Sequence, residues 1–165
     1  MMRILVILSF FLSFGHSSSA QSQEQVYAGV ILHIMKYVEW PAYKAKMTVG
    51  VVNNPSLVRA LQKASIGKKI HFKNVHVTVF NDLSIADKMD VLFFSKRVSK
   101  GISIEGIKGT KGILIITEQH TKINRSVSVN FIQKNGSLQF ELYNTALKGN
   151  GFKVSDQLKK LAILK

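Results

Sequence analysis

Apolar and polar positions along this chain recur with two different periods, and the changes of period mark out its elements. Over residues 23–39 the polar or small positions Gln25, Gly29, His33 and Lys36 fall on one narrow stripe of a 3.6-residue helix, while Val26, Tyr27, Val30, Ile31, Ile34, Met35 and Val38 cover the rest. A helix apolar around most of its circumference is buried on several sides. Pro41 disfavours helical backbone at Trp40 and sets the expected end. A β-α-β rhythm follows. Residues 47–53 form a β-branched run, Asn54-Pro55 opens a helix to about Ser65 with Leu57, Val58 and Leu61 on one side, and Gly67 stops it. Between residues 69 and 80, Ile70 and Phe72 have one parity and Val75, Val77 and Val79 the other, which predicts a bulge or break near Lys73-Asn74. Residues 91–95 and 113–117 read as strands covered on both faces, with a short crossover helix within 96–112.

The last third alternates strictly. Val127, Val129 and Phe131, then a turn at Asn135-Gly136, then Leu138, Phe140 and Leu142 predict a β-hairpin. Ser155 reads as the N-cap of a closing helix that carries Leu158, Leu161, Ala162 and Leu164. The expected fold is α/β and a single domain. It is a mixed sheet of five or six strands flanked by helices on both faces, parallel early and antiparallel at one edge, ending in a C-terminal β-hairpin and a closing helix.

The first twenty residues stand apart from this pattern. Arg3, the apolar run 4–14 and the small residues Ser18-Ser19-Ala20 have the order of a secretion signal, and the run is too short to span a membrane. Residues 1–20 are therefore expected to be a signal peptide cleaved after Ala20, and residues 21–165 the exported domain, with the periplasm as its destination. Export changes the meaning of the charge. With 23 Lys plus Arg against 9 Asp plus Glu the chain carries a formal +14, which in the cytoplasm would point to nucleic acid. Outside it, anionic lipid and envelope polymers are the commoner partners. The lysines are scattered and no RNP-like aromatic ribbon or zinc-finger spacing is present. The expectation is no nucleic acid, with an anionic envelope surface as a candidate partner.

Candidate chemistry is thin. No cysteine is present, which removes disulfides, thiol nucleophiles and Cys-type metal sites. Gly101 and Gly106 have the first spacing of a phosphate loop, but Ile107 stands where Lys must be. Ser103 lies in a sequence that departs from G-x-S-x-G at Glu105. His71 and His76 lack a third ligand, and His33 and His120 belong to a polar stripe and a loop. Asp87 and Asp90 read as solvating or capping carboxylates. The chain is read as non-enzymatic, without cofactor or metal.

Two stretches carry more. Lys36-Tyr37-Val38-Glu39-Trp40-Pro41 at the end of the first helix resembles the opening of the YfiR-like family of periplasmic proteins. Phe140-Glu141-Leu142-Tyr143-Asn144, Ala146, residues 151–155 and residues 158–162 are similar to that family's strand, Asn and final helix. The matching positions are Tyr37, Glu39, Trp40, Pro41, Asn144, Ser155, Leu158 and Ala162, with a structural or interface role implied. Where many members carry a Cys-His pair before the central strand, this chain has Met89-Asp90. The resemblance implies a non-catalytic regulator acting by protein contact, restraining an inner-membrane signalling protein such as a diguanylate cyclase through its periplasmic sensor domain, with a homodimer as a further partner. The alternative is a periplasmic small-ligand sensor whose pocket, at the carboxyl ends of the parallel strands, uses Asn53, Asn54, Ser95 and Asn144. An envelope enzyme is a third reading.

Overall fold

A computed structural model of the chain describes residues 22–41, 45–96, 102–107, 109–121 and 125–165. The expected signal segment, 1–20, lies outside them. In chain order come helix α1 (Gln23–Tyr37), strands β1 (Val38–Glu39) and β2 (Met47–Val52), helix α2 (Pro55–Ser65), and strands β3 (Lys69–Ile70), β4 (Lys73–Val79) and β5 (Val91–Phe94). Then follow β6 (Leu114–Glu118), β7 (Val129–Lys134), β8 (Ser137–Leu142), helix α3 (Asn144–Gly149), β9 (Lys153–Val154), helix α4 (Asp156–Leu161) and β10 (Ile163–Leu164). Two 3₁₀ helices, Leu83–Lys88 and Ile104–Gly106, interrupt the crossovers.

The main sheet has eight strands in the order β10-β8-β7-β6-β5-β2-β4-β3, and β1 pairs with β9 in a separate two-stranded ribbon. Strands β4, β2, β5, β6 and β7 are mutually parallel; β8 runs antiparallel to β7. The mixed α/β class is as expected, but the sheet is larger than the five or six strands predicted. The additions, β3 and β10, are two residues long, too short to display a period of two in the sequence. Alternation splits the core in two. Val91, Phe93, Leu114 and Ile116 face the layer formed by α1, α2 and α4, and Leu92, Phe94, Ile113 and Ile115 face the layer that includes the 3₁₀ helices. Helices thus cover both faces, with 3₁₀ turns on the second.

Local chemistry accounts for most boundaries. Ser22 caps α1 through a capping box with Gln25, and α1 gives way to β1 at Val38. The Gln25, Gly29, His33 and Lys36 stripe is exposed, as its spacing predicts. Asn135 and Gly136 both have positive φ and close the β7–β8 hairpin. The expected break near Lys73-Asn74 is a full chain reversal two residues earlier. His71 and Phe72 have φ of 49° and 65°, and β3 folds back antiparallel on β4. Phe72, counted by parity as an inward residue, is 96% exposed at the tip of this turn. In the closing helix only Leu158 is buried; Leu161 and Leu164 face solvent, because six helical residues present little more than one inward position before the chain turns into β10. Among the described residues no helix is long and apolar enough to cross a membrane.

Candidate functional sites at the two ends of the sheet

The chain runs from β2 outward to β4 and then crosses back to β5 on the other side of β2. Where strand order reverses in this way, the crossovers diverge and leave a crevice at the strands' carboxyl ends. Here the crevice is a cleft of about 420 Å³ walled by the N-termini of α1 and α2 and floored by the residues that end β2, β5 and β6. Val52 pairs with Phe94, and Phe94 with Thr117, so Asn53, Ser95 and Glu118 follow one another across the sheet in a single row. Ser95 and Glu118 have the parity of Phe93 and Ile116 and therefore belong to the face covered by α1 and α2.

Glu118 is the best-held polar group in the cleft. Its Oε1 accepts hydrogen bonds from the Tyr27 hydroxyl at 3.0 Å and the Gln23 side-chain amide at 3.1 Å, and its Oε2 accepts from the Lys96 backbone N–H at 2.9 Å. Tyr27 is in turn fixed by its ring, which lies 6.0 Å from Phe93 and 5.1 Å from Phe131. Burial first, and the Glu118 charge second, push the Tyr27 hydroxyl above its ordinary pKa. The Lys96 ammonium turns to Gln119 Oε1 at 2.9 Å. Asn54 caps α2, its Oδ1 accepting from the Leu57 N–H at 2.9 Å, and Pro55 at the first helical position has no N–H to offer. The cleft therefore presents a rigid carboxylate and a hydroxyl to anything small and polar that enters. Among the described residues no group of three or more His, Cys, Asp or Glu side chains is gathered to hold a metal.

A second constellation lies at the opposite end, near the amino ends of the parallel strands. Val38 and Glu39 of β1 pair with Val154 and Lys153 of β9, and the Ser155 N–H donates to the Tyr37 carbonyl at 3.1 Å. Trp40 packs edge-on to Phe152 and donates from Nε1 to the Met35 carbonyl at 3.4 Å. Gly151, with φ of 86°, lies so close to Pro41 that a Cβ there would come within 2.9 Å of the proline ring. Ser155 caps α4 through the Leu158 N–H, as predicted, and Ala162 packs at the margin of the core. On the outside of the ribbon Glu39 and Lys153 form an exposed ion pair at 3.8 Å.

The structure brings Asn53, Asn54 and Ser95 together in the cleft but leaves Asn144 out of it. Asn144 follows β8, whose antiparallel course carries its carboxyl end to the opposite end of the sheet; there the Asn144 N–H donates to the Lys165 carbonyl at 3.1 Å. Glu118, Gln23 and Lys96 are cleft residues that pattern reading missed. The signal was available for Glu118, which continues the inward parity of Leu114 and Ile116 by one step. Asp90 is a buried structural carboxylate that accepts from the Thr48 N–H at 2.7 Å. His71 is tied to the Met35 carbonyl at 3.1 Å, and His76 is exposed on β4.

A family model described as YfiR/HmsC-like (DUF4154) matches residues 24–163, which includes both motif stretches and all of the cleft residues except Gln23. Among solved structures, a conserved domain protein from Vibrio cholerae O1 biovar El Tor strain N16961 is similar in fold, with a TM-score of 0.53 and 14% sequence identity. The match covers 87% of this chain and 60% of that one, so this chain spans about three-fifths of that protein's length. No curated protein matches the sequence.

Proposed function

This chain belongs to the YfiR/HmsC-like family, and from that premise we propose that it is a periplasmic, non-catalytic regulator that restrains an inner-membrane diguanylate cyclase by binding the cyclase's periplasmic sensor domain. The observation that supports the reading best is the meeting of the two family stretches in one ribbon. Residues far apart in sequence, Tyr37 to Pro41 and Gly151 to Ser155, are held against each other by strand pairing and by the Trp40–Phe152 contact, with Glu39, Pro41 and Lys153 outermost. A rigid, preorganised surface loses little conformational entropy on binding. By preferring one state of its partner it shifts that partner's equilibrium without chemistry of its own. A second copy of the chain and an anionic envelope surface are further partners of this regulator.

The test is site-specific photo-crosslinking from position 39 or 153 in protein exported by the living cell, with identification of the captured chain. The expected result is a membrane-bound diguanylate cyclase, together with a fall in cellular cyclic di-GMP when the protein is overproduced. Capture of no cyclase, with cyclic di-GMP unchanged, overturns the reading.

A second reading, a sensor that takes a small ligand, is favoured by the cleft at the strand reversal and by Ser95, whose hydroxyl is buried there without a hydrogen-bond partner among the described residues. The two readings are compatible, since a ligand in the cleft at one end could bias contacts made at the other.

A further inference from the structure

We propose that the cleft at the carboxyl ends of β2, β5 and β6 binds a small primary ammonium compound, held by the Glu118 carboxylate and the Ser95 hydroxyl. The inference rests on the sensor reading and adds to it the chemical class of the ligand.

Two unusual groups carry it. Ser95 is only 7% exposed, lines the cleft, and its Oγ has no hydrogen-bond partner among the described residues. Its parity is that of Phe93, so the side chain is directed to the face where α1 and α2 wall the cleft. A buried hydroxyl left without a partner is costly, and most are satisfied. Glu118 is 9% exposed, and its three hydrogen-bond donors, from Tyr27, Gln23 and the Lys96 backbone, are all neutral. Among the described residues it forms no ion pair, although buried carboxylates are ordinarily matched by a cation. An ionised carboxylate has about four acceptor positions, and three are occupied here.

The surroundings select the sign of the ligand. Glu24 adds a second carboxylate to the lining, and Lys96, the one lysine among the described lining residues, has its ammonium directed to Gln119. An anion would look to the N-terminus of α2, but Pro55 removes one donor there and the Asn54 side chain has taken another. No aromatic side chain is among the described lining residues, so a nucleobase or a sugar ring finds no stacking surface among them. What remains is a compact cation with several N–H donors. A primary ammonium has three, enough to reach the free position on Glu118 and the Ser95 hydroxyl together.

The test is isothermal titration calorimetry at low salt on protein purified from the cell envelope. The probes are ethanolamine and 1,4-diaminobutane, set against glucose and inorganic phosphate. The expected result is binding of at least one amine but of neither control. Ser95→Ala and Glu118→Gln should each weaken amine binding about tenfold or more, with circular dichroism unchanged. If Glu118→Gln fails to fold, Ser95→Ala, which only removes an oxygen, decides. Amine binding unaffected by Ser95→Ala and by any folded Glu118→Gln overturns the site. Binding of glucose or phosphate instead of either amine overturns the ammonium class and leaves the sensor reading standing. Heat from none of the four probes overturns both.

Discussion

Trp40 stands edge-on to Phe152, with ring centroids 5.1 Å apart and planes at 88°. This contact joins the segment that leaves the first helix to the segment that enters the last, across more than a hundred residues of sequence. Both rings belong to the larger core cluster, Phe152 buried and Trp40 at its margin. Such edge-to-face pairs add about 0.5–1.5 kcal/mol to the area they bury.

Trp40→Ala is therefore expected to destabilise the fold by about 3 kcal/mol, the low end for aromatic truncation because the indole is only partly buried. For a chain of this size each kcal/mol moves Tm by about 2–4 °C, so the loss is readable in a melt, and Trp40→Phe should recover part of it. An unchanged Tm combined with lost partner binding would assign the indole to an interface instead.

Gly151→Ala should be more damaging than Gly136→Ala. Both glycines have positive φ, 86° and 76°, and each substitution incurs the cost of about 1–2 kcal/mol for placing an L-residue there. At Gly136 nothing lies within 4 Å of the added Cβ, whereas at Gly151 the Pro41 Cβ lies at 2.9 Å. The Gly151 variant must also displace the chain that carries Trp40. Equal melting temperatures for the two variants would show that the ribbon yields to the clash without loss.

Strands of four or more residues are legible in the sequence because period two needs several positions to declare itself, whereas the six-residue helix α3 holds under two turns and shows no period of its own. Thus β2, β5, β6 and the β7–β8 hairpin were found, while β1, β3, β9 and β10, two residues each, were not. Phe72 misled because its parity says inward while its positive φ turns it outward. Asn53, Asn54 and Ser95 were legible as cleft residues because they end parallel strands at a reversal of strand order. Asn144 was placed with them although it ends an antiparallel strand, whose carboxyl terminus lies at the other end of the sheet. Glu118 escapes pattern reading because the apolar run ends at Thr117, while the strand continues one polar residue further, to Glu118 itself.

Tyr27→Phe keeps the ring contacts with Phe93 and Phe131 but removes one of the three donors to Glu118. Hydrogen bonds to charged groups contribute about 1.5–3 kcal/mol, so thermal or denaturant unfolding should show a loss of that order. It should exceed the loss from Gln23→Ala, since Gln23 is exposed and its amide is more readily replaced by water. A Tyr27→Phe protein as stable as the parent would mean that the carboxylate is solvated well enough to need neither side chain.

Acid should act partly through Glu141. Burial alone would raise its pKa, but hydrogen bonds from Asn130 Nδ2 at 3.0 Å and the Tyr143 hydroxyl at 2.7 Å, with Lys165 Nζ at 3.5 Å, outweigh burial and hold it below the ordinary value of 4.5. Tyr143 moves the other way, its hydroxyl pushed up by burial and by the bond it donates to Glu141. A group whose pKa is lower folded than unfolded binds more protons in the unfolded chain at intermediate pH. Its stabilising contribution is complete above the unfolded value and disappears as pH falls through the folded one. Wild-type Tm should accordingly drop as pH is lowered from about 4.5, and Glu141→Gln should melt lower at neutral pH yet lose less on acidification. Asp82 and Asp156, also depressed by their own partners, remain in both proteins, so the difference between the two acid profiles isolates Glu141. Parallel profiles for wild type and Glu141→Gln would show that this half-buried network contributes the same free energy whether or not its carboxylate is charged.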